Sequence, residues 1–266
     1  MCKKGEKRGL AMYMNIDKIK VKHSISTIDA HTEGEPLRII TQGYPSIIGN
    51  TILQKRQYLI HELDHLRQLL MYEPRGHADM YGALITEPCS PEADFGILFM
   101  HNEGYSSMCG HGIIAAVATA IETEALSMPL PEQAIVIDSP AGQIHAYAEK
   151  NDQQLTVSFD NVPSFIVAQS QSVYIEGLGN IVYDIAFGGA YYAYVNADLY
   201  DISCQPDNQQ QLITLGKAIK QAVIENYTVT HPIEPDLSFL YGTIFYSKKH
   251  LDKGAHSKHV CIFADG

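Results

Sequence analysis

GYSSMCGHGIIAAVATAIETEAL, Gly104 to Leu126, runs from a polar, glycine-containing loop straight into a helix-forming segment. Ile114, Val117 and Ile121 recur at helical spacing, and Ala115, Ala116, Ala118 and Ala120 fill the gaps between them. The spacing predicts a helix that begins at or just after Cys109. The first N–H groups of such a helix, on Gly110, His111 and Gly112, have no acceptor within it, and the positive end of its dipole favours an anion. A cysteine so placed can have its pKa lowered from about 8.5 to roughly 3.5–7.5, which makes a thiolate available near neutrality. The flanking glycines let a ligand approach the backbone. The alternative is a buried cysteine that packs as a small hydrophobe.

Composition narrows the class. A chain of 266 residues, 45% hydrophobic, can bury one large core or two modest ones. A formal charge of −11 argues against a nucleic-acid partner or an anionic membrane surface. Cys2, Cys89, Cys109, Cys204 and Cys261 form no C-x-x-C pair and no even framework, which points to a reducing, cytoplasmic setting. The opening MCKKGEKRGLAMYMN is basic without an apolar core, so it is not a secretory signal; residues 1–23 read as a disordered leader, with Met12 or Met14 an alternative start. No apolar run reaches the roughly 18 residues of a membrane span.

The order of elements predicts an α+β, or mixed α/β, chain. Strands are expected at Ser24–Asp29 and Leu37–Gln42 around a polar HTEGEP turn, then at Ala83–Thr86 and Phe95–Met100. Asn50 or Thr51 can cap a helix from Ile52 to about Met71, with Leu59, Leu63, Leu66 and Leu70 on its apolar face. After the Cys109 helix come strands at Ala134–Asp138, Gln143–Glu149 and Leu155–Phe159. Asn161-Val162-Pro163 marks a crossover, which gives a first domain of 24–160 and a second of 161–266. The second half repeats the pattern, with strands at Ser172–Ile175, Asn180–Phe187 and Tyr191–Val195 and a helix from about Gln209 to Glu225. Strands at Tyr241–Tyr246 and His259–Phe263 follow.

Other motifs lead nowhere. His61-Glu62-Leu63-Asp64-His65 matches H-E-x-x-H, but both histidines fall opposite the leucine face, so they read as solvated and not as zinc ligands. Gly177-Leu178-Gly179 lacks the third glycine of a dinucleotide loop, and no G-x-S-x-G elbow is present. No metal and no cofactor is expected.

Six segments in order carry a resemblance: TIDAHTEGEPLRIIT (27–41), EPRGHADMYGA (73–83), ADFGILFM (93–100), MCGHG (108–112), DIAFGGAYYA (184–193) and VCIFADG (260–266). On these the chain resembles the proline racemase superfamily. HNEGYSSMCGH (101–111) and HPIEPDLSFLYGTI (231–244) are most similar to its trans-3-hydroxy-L-proline dehydratases. The resemblance implies a diaminopimelate-epimerase-like fold of two pseudo-symmetric domains, each wrapping strands around a central helix. It implies a small imino-acid substrate in the cleft where two helix N-termini face each other. Cys109 corresponds to the first acid/base residue, Gly110 and His111 to substrate-holding groups, and Tyr81 to an aromatic pocket wall, which is equally readable as a core tyrosine. Arg75, His77 and Asp79 read as a structural hydrogen-bond knot, and His31, Glu33 and Glu35 shape a turn near the cleft. A homodimer is compatible with the family.

One family feature falls beyond Gly266. The motif Asp-Arg-Ser-Pro-(Cys or Thr)-Gly-x-Gly, whose variable position separates racemases and epimerases from dehydratases, is expected just after the end of this sequence. The second domain therefore reads as truncated. Cys204 and Cys261 read as buried and as no substitute for the second acid/base residue. The expected activity is dehydration of trans-3-hydroxy-L-proline to a cyclic imine, with Cys109 taking the α-proton. A proline racemase, a 4-hydroxyproline epimerase, or an inactive relic or interaction module are the alternatives.

Overall fold

The computed structural model describes residues 20, 21, 23–130, 132–151 and 154–263. Most of the leader expected over 1–23 lies outside the described residues.

Twelve strands form two sheets among the described residues. β1 (Ser26–Thr32), β2 (Glu35–Gln42), β3 (Tyr81–Thr86), β4 (Phe95–His101), β5 (Ile135–Ser139), β6 (Gly142–Asn151) and β7 (Gln154–Asp160) lie side by side in chain order. β8 (Phe165–Ile175), β9 (Gly179–Phe187), β10 (Tyr191–Asn196), β11 (Leu240–Ser247) and β12 (Lys258–Phe263) make the second sheet, also in chain order. Neighbours are antiparallel except β2/β3, β4/β5 and β10/β11. Parallel neighbours need a long crossover, and each of these three pairs is joined through helix. The connections are α1 (Ile52–Glu62) with α2 (Asp64–Met71), α3 (Gly110–Glu122), and α4 (Gln209–Asn226).

Each sheet curls around one helix. α3 packs against β1 and β7, the two edges of the first sheet, and against β2, β3 and β6. Its buried residues are Gly112, Ile113, Ala115, Ala116 and Val117. Ile113, and not the expected Ile114, is fully buried, because the enclosing sheet covers most of the helix circumference. Burial of Ile113 and Val117 contributes about 1.5–3 kcal/mol each. α4 sits likewise in the second sheet, against β8, β10, β11 and β12, with Leu212, Ile219 and Val223 inward. Gly216 lets that helix approach β12, since a Cβ there would stand 2.6 Å from Ile262.

α1 and α2 cover the outer face of the first sheet and bury β4 on both sides. Phe95, Ile97 and Phe99 belong to the large core around α3, while Leu98 and Met100 meet Leu59, Leu63, Leu66 and Leu70. That explains the unbroken apolar run of β4. Thr51 caps α1 by accepting the Gln54 N–H at 3.1 Å. The single helix expected over 52–71 is divided at Leu63, whose φ/ψ of −124°/11° leave the helical region. Asp64 opens α2 with its carboxylate on Arg67 at 2.6 Å, a start signal that the leucine periodicity hides. β1 and β2 also extend into the expected HTEGEP turn, which shrinks to Glu33 and Gly34 at φ 50° and 97°.

Candidate active site

Cys109 is the N-cap of α3. Its backbone is extended, at φ −147° and ψ 110°, and its Sγ accepts the Gly112 N–H at 3.3 Å. The loop ahead of it is tied down on both sides. Ser107 donates to the Gly189 carbonyl in the β9–β10 turn, and Ala141 N–H donates to the Ser107 carbonyl at 3.2 Å. Thr32, at the tip of the first hairpin, donates to the His111 carbonyl at 2.9 Å. The cysteine is thus fixed between the first sheet, the second sheet and its own helix.

All four residues singled out in the sequence meet at one cavity of about 270 Å³. Tyr81, Cys109, Gly110 and His111 line it from the first half, and Tyr192, Tyr241 and Phe263 line it from the second. His111 places its ring 3.3 Å (Nδ1) and 3.6 Å (Nε2) from the Cys109 sulfur. The Tyr81 ring meets the His111 ring edge-on at 5.1 Å, and its hydroxyl contacts Ser106 Oγ. Tyr81 is therefore a cavity wall and a buried core tyrosine at once, at 5% exposure.

The thiol is not the depressed-pKa group that its helix position predicts. Burial pushes Cys109 up to about 12, outweighing the Gly112 N–H and the Tyr81 hydroxyl, which both favour the thiolate; the charge of Glu35 adds to the rise. A single helix end does not compensate for removing a thiolate from water. His111 offers no cation to help, because burial holds its imidazole below the usual range despite Glu35 and the Pro36 carbonyl. Both partners are therefore neutral at pH 7. The glycines also divide differently from expectation. Gly110 lines the cavity, whereas Gly112 is an inward packing position whose Cβ would stand 2.6 Å from Phe99.

Other expected residues lie apart from this cavity. Arg75 donates to the Leu69 carbonyl at 2.7 Å, and Arg38 donates to the Arg75 carbonyl at 2.6 Å, a clamp between α2 and the first sheet. The His77 carbonyl accepts from Asn102 at 2.9 Å. Cys204 is buried, while Cys261 on β12 is exposed, contrary to its reading as a buried residue, because β12 is the edge strand of its sheet. His61 and His65 are exposed, and no group of three or more potential metal ligands occurs among the described residues. No helix among them is long and apolar enough to cross a membrane.

Sequence reasoning missed Ser106, Tyr192 and Tyr241. The signal lay inside quoted segments, but nothing in the linear order distinguishes their tyrosines from core ones. It missed as well a larger cavity of about 490 Å³ beyond Tyr241, lined by Arg56, Arg67, His101 and Lys220 among others. No cysteine, serine or threonine lines that space. The smaller cavity is the one that holds Cys109 at a helix N-terminus.

Known proteins are similar to this chain in sequence and in fold. A sequence model described as proline racemase matches residues 27–266. A Colwellia psychrerythraea protein named trans-3-hydroxy-L-proline dehydratase is 48% identical over 244 residues, covering 91% of this chain and 68% of that one. A protein of the same name from Bacillus thuringiensis subsp. konkukian is 47% identical over 249 residues, covering 93% and 74%. In structure, a hydroxyproline epimerase from Agrobacterium vitis, solved with trans-4-hydroxy-L-proline, superimposes with a TM-score of 0.84 at 24% identity. That match covers 91% of this chain and 71% of the epimerase and speaks for the fold alone. Two sheets curled around helices, a cysteine capping one of them, and a family match over nearly the whole length give one conclusion: the chain belongs to the proline racemase family.

Proposed function

We propose that this protein dehydrates trans-3-hydroxy-L-proline without a cofactor, with Cys109 as the base that removes the α-proton. The observation that carries the reading is the cysteine capping α3 at the wall of a small cavity between the two sheets. At about 270 Å³ that cavity lies below the roughly 300–1,000 Å³ of drug-sized sites and suits an amino-acid-sized ligand. The near-50% identity to proteins named as this dehydratase supports the substrate.

The chemistry follows from the residues present. The N–H groups of Gly110 and His111 in the first turn of α3 bind the substrate carboxylate. The substrate's ring nitrogen enters neutral, takes the Cys109 proton and becomes a cation, and that positive charge beside the sulfur favours the thiolate. The thiolate takes the α-proton, and charge moving into the carboxylate is stabilised by the same N–H groups; one such donor is worth about 2.7–4 kcal/mol. The C3–O bond then breaks, hydroxide leaves as water with one added proton, and the enamine tautomerises to the cyclic imine. Net, one water is lost and nothing is oxidised or reduced. In this reading 24–160 and 161–266 are the two domains that enclose the substrate.

The test incubates the protein with trans-3-hydroxy-L-proline, trans-4-hydroxy-L-proline and L-proline. It is run on these 266 residues and on the chain extended by any coding sequence that follows Gly266. Cyclic imine from the first compound alone is the expected result. Inversion of the other two without imine would replace the dehydratase with a two-base isomerase. No turnover of any of the three would favour the inactive relic or interaction module.

A further inference from the structure

The cavity of about 490 Å³ lies where the two halves meet, and Tyr241 borders it and the Cys109 cavity alike. Arg56, Ile60 and Arg67 line it from the first half, and Lys220, Phe239 and Leu240 from the second. Its volume is within the roughly 300–1,000 Å³ of small-molecule sites, which occur preferentially where domains meet. The reaction proposed above does not use it.

Arg56 is the residue that this wall leaves unbalanced. It is only 7% exposed. Its Nη2 donates to the Tyr105 carbonyl at 2.6 Å, and its guanidinium carbon stands 5.8 Å from the centre of the Phe239 ring. Among the described residues Nε has no hydrogen-bond partner, and no carboxylate lies within ion-pair distance of the guanidinium. Arg67 is different: its Nε and Nη2 donate to the Asp64 carboxylate at 2.6 and 3.0 Å, and its Nη1 to the His101 carbonyl at 2.8 Å. A guanidinium keeps its charge at every working pH, and a buried charge without a counter-ion is costly. The wall as a whole shows the same excess. Three cations, Arg56, Arg67 and Lys220, face two carboxylates, Asp64 and Glu103, while burial and those cations keep His101 neutral. One positive charge remains.

We propose that this cavity is a second ligand site, for a small organic monocarboxylate whose charge pairs with the Arg56 guanidinium and whose apolar body rests on Ile60, Phe239 and Leu240. One negative charge matches the excess, and a guanidinium fork suits a carboxylate. The apolar lining favours a carbon skeleton over a bare inorganic ion. The inference does not depend on Cys109 being the base.

The experiment is calorimetric titration of the protein with sodium benzoate at constant ionic strength, beside neutral benzamide and inorganic phosphate. Benzoate is expected to saturate, and the other two to bind more weakly. Arg56→Met should weaken benzoate by about tenfold or more, the loss of a charge-assisted pair. Gly110→Ala, which alters the Cys109 cavity, should leave benzoate binding unchanged. Equal benzoate affinity in Arg56→Met would overturn the inference, as would no binding at all or tighter binding of phosphate. Loss of binding in Gly110→Ala would place benzoate at Cys109 and overturn it too. Should Arg56→Met fail to fold, Ile60→Trp, a change at a half-buried wall position that fills the cavity, decides alone: binding as tight as wild type would reject the site. A protein that turns over none of the three imino acids yet binds benzoate through Arg56 would keep this inference and reject the dehydratase.

Discussion

The Tyr81 hydroxyl on β3 and the Tyr241 hydroxyl on β11, 160 residues apart in the chain, lie 3.4 Å from each other. One belongs to the first sheet and the other to the second, so the two halves meet through phenols directly behind the candidate base. Tyr241 also borders both cavities and packs against His101, Tyr192 and Phe263.

Tyr241→Ala should therefore open the site into the larger space and destabilise the fold. Truncating a buried aromatic costs about 3–5 kcal/mol. Urea unfolding gives the number, and a variant as stable as wild type would show that Tyr241 does not hold the partition.

At Cys109, capping and chemistry can be separated. Serine is a good N-cap, so Cys109→Ser should keep α3 and melt within a few degrees of wild type, while alanine should lose about 0.5–2 kcal/mol. Both should lower dehydration by orders of magnitude in an active form of the chain. Substantial turnover by the serine variant would remove Cys109 from its role.

Two glycines of the same helical turn predict opposite outcomes. Gly112→Ala brings a Cβ to 2.6 Å from the fully buried Phe99 and 3.0 Å from the Cys109 sulfur, so it should destabilise by about 1–3 kcal/mol and displace the thiol. Gly110→Ala meets only Phe159 of the cavity wall, at 3.1 Å, and gains up to about 1 kcal/mol of helix propensity. It should fold well and bind substrate poorly. Thermal melts set beside KM distinguish the pair, and equal stability losses would refute the division.

His101 sets an acid limit. Burial foremost, then the charges of Arg67, Lys220 and Arg56, lower its pKa from 6.5 to about 4, and its Nδ1 accepts the Glu103 N–H at 3.2 Å. Between those values the unfolded chain binds a proton that the folded chain does not. Stability is therefore fully present above about pH 6.5 and falls as the pH drops towards 4, by about 3 kcal/mol at most. Urea midpoints in that window should slope less in His101→Gln. An unchanged slope would assign the acid sensitivity elsewhere.

Much of this molecule was legible in one dimension. Strand and helix positions follow from periodicity, because alternation in β9 or β10 and the Leu212, Ile219, Val223 face of α4 reflect burial against neighbours of fixed geometry. Cys109 at a helix start followed from the glycines and alanines around it. What the linear order did not contain was distance. The break at Leu63 depends on the Asp64–Arg67 pair, and the inward turn of Ile113 depends on a sheet that closes around α3. The thiol's acidity shows this most clearly. The helix N-terminus is a local property and was readable, but desolvation comes from every atom that excludes water, including Tyr192 and Tyr241 from the far half of the chain. Local sequence determined where the sulfur sits; tertiary burial decided that it keeps its proton.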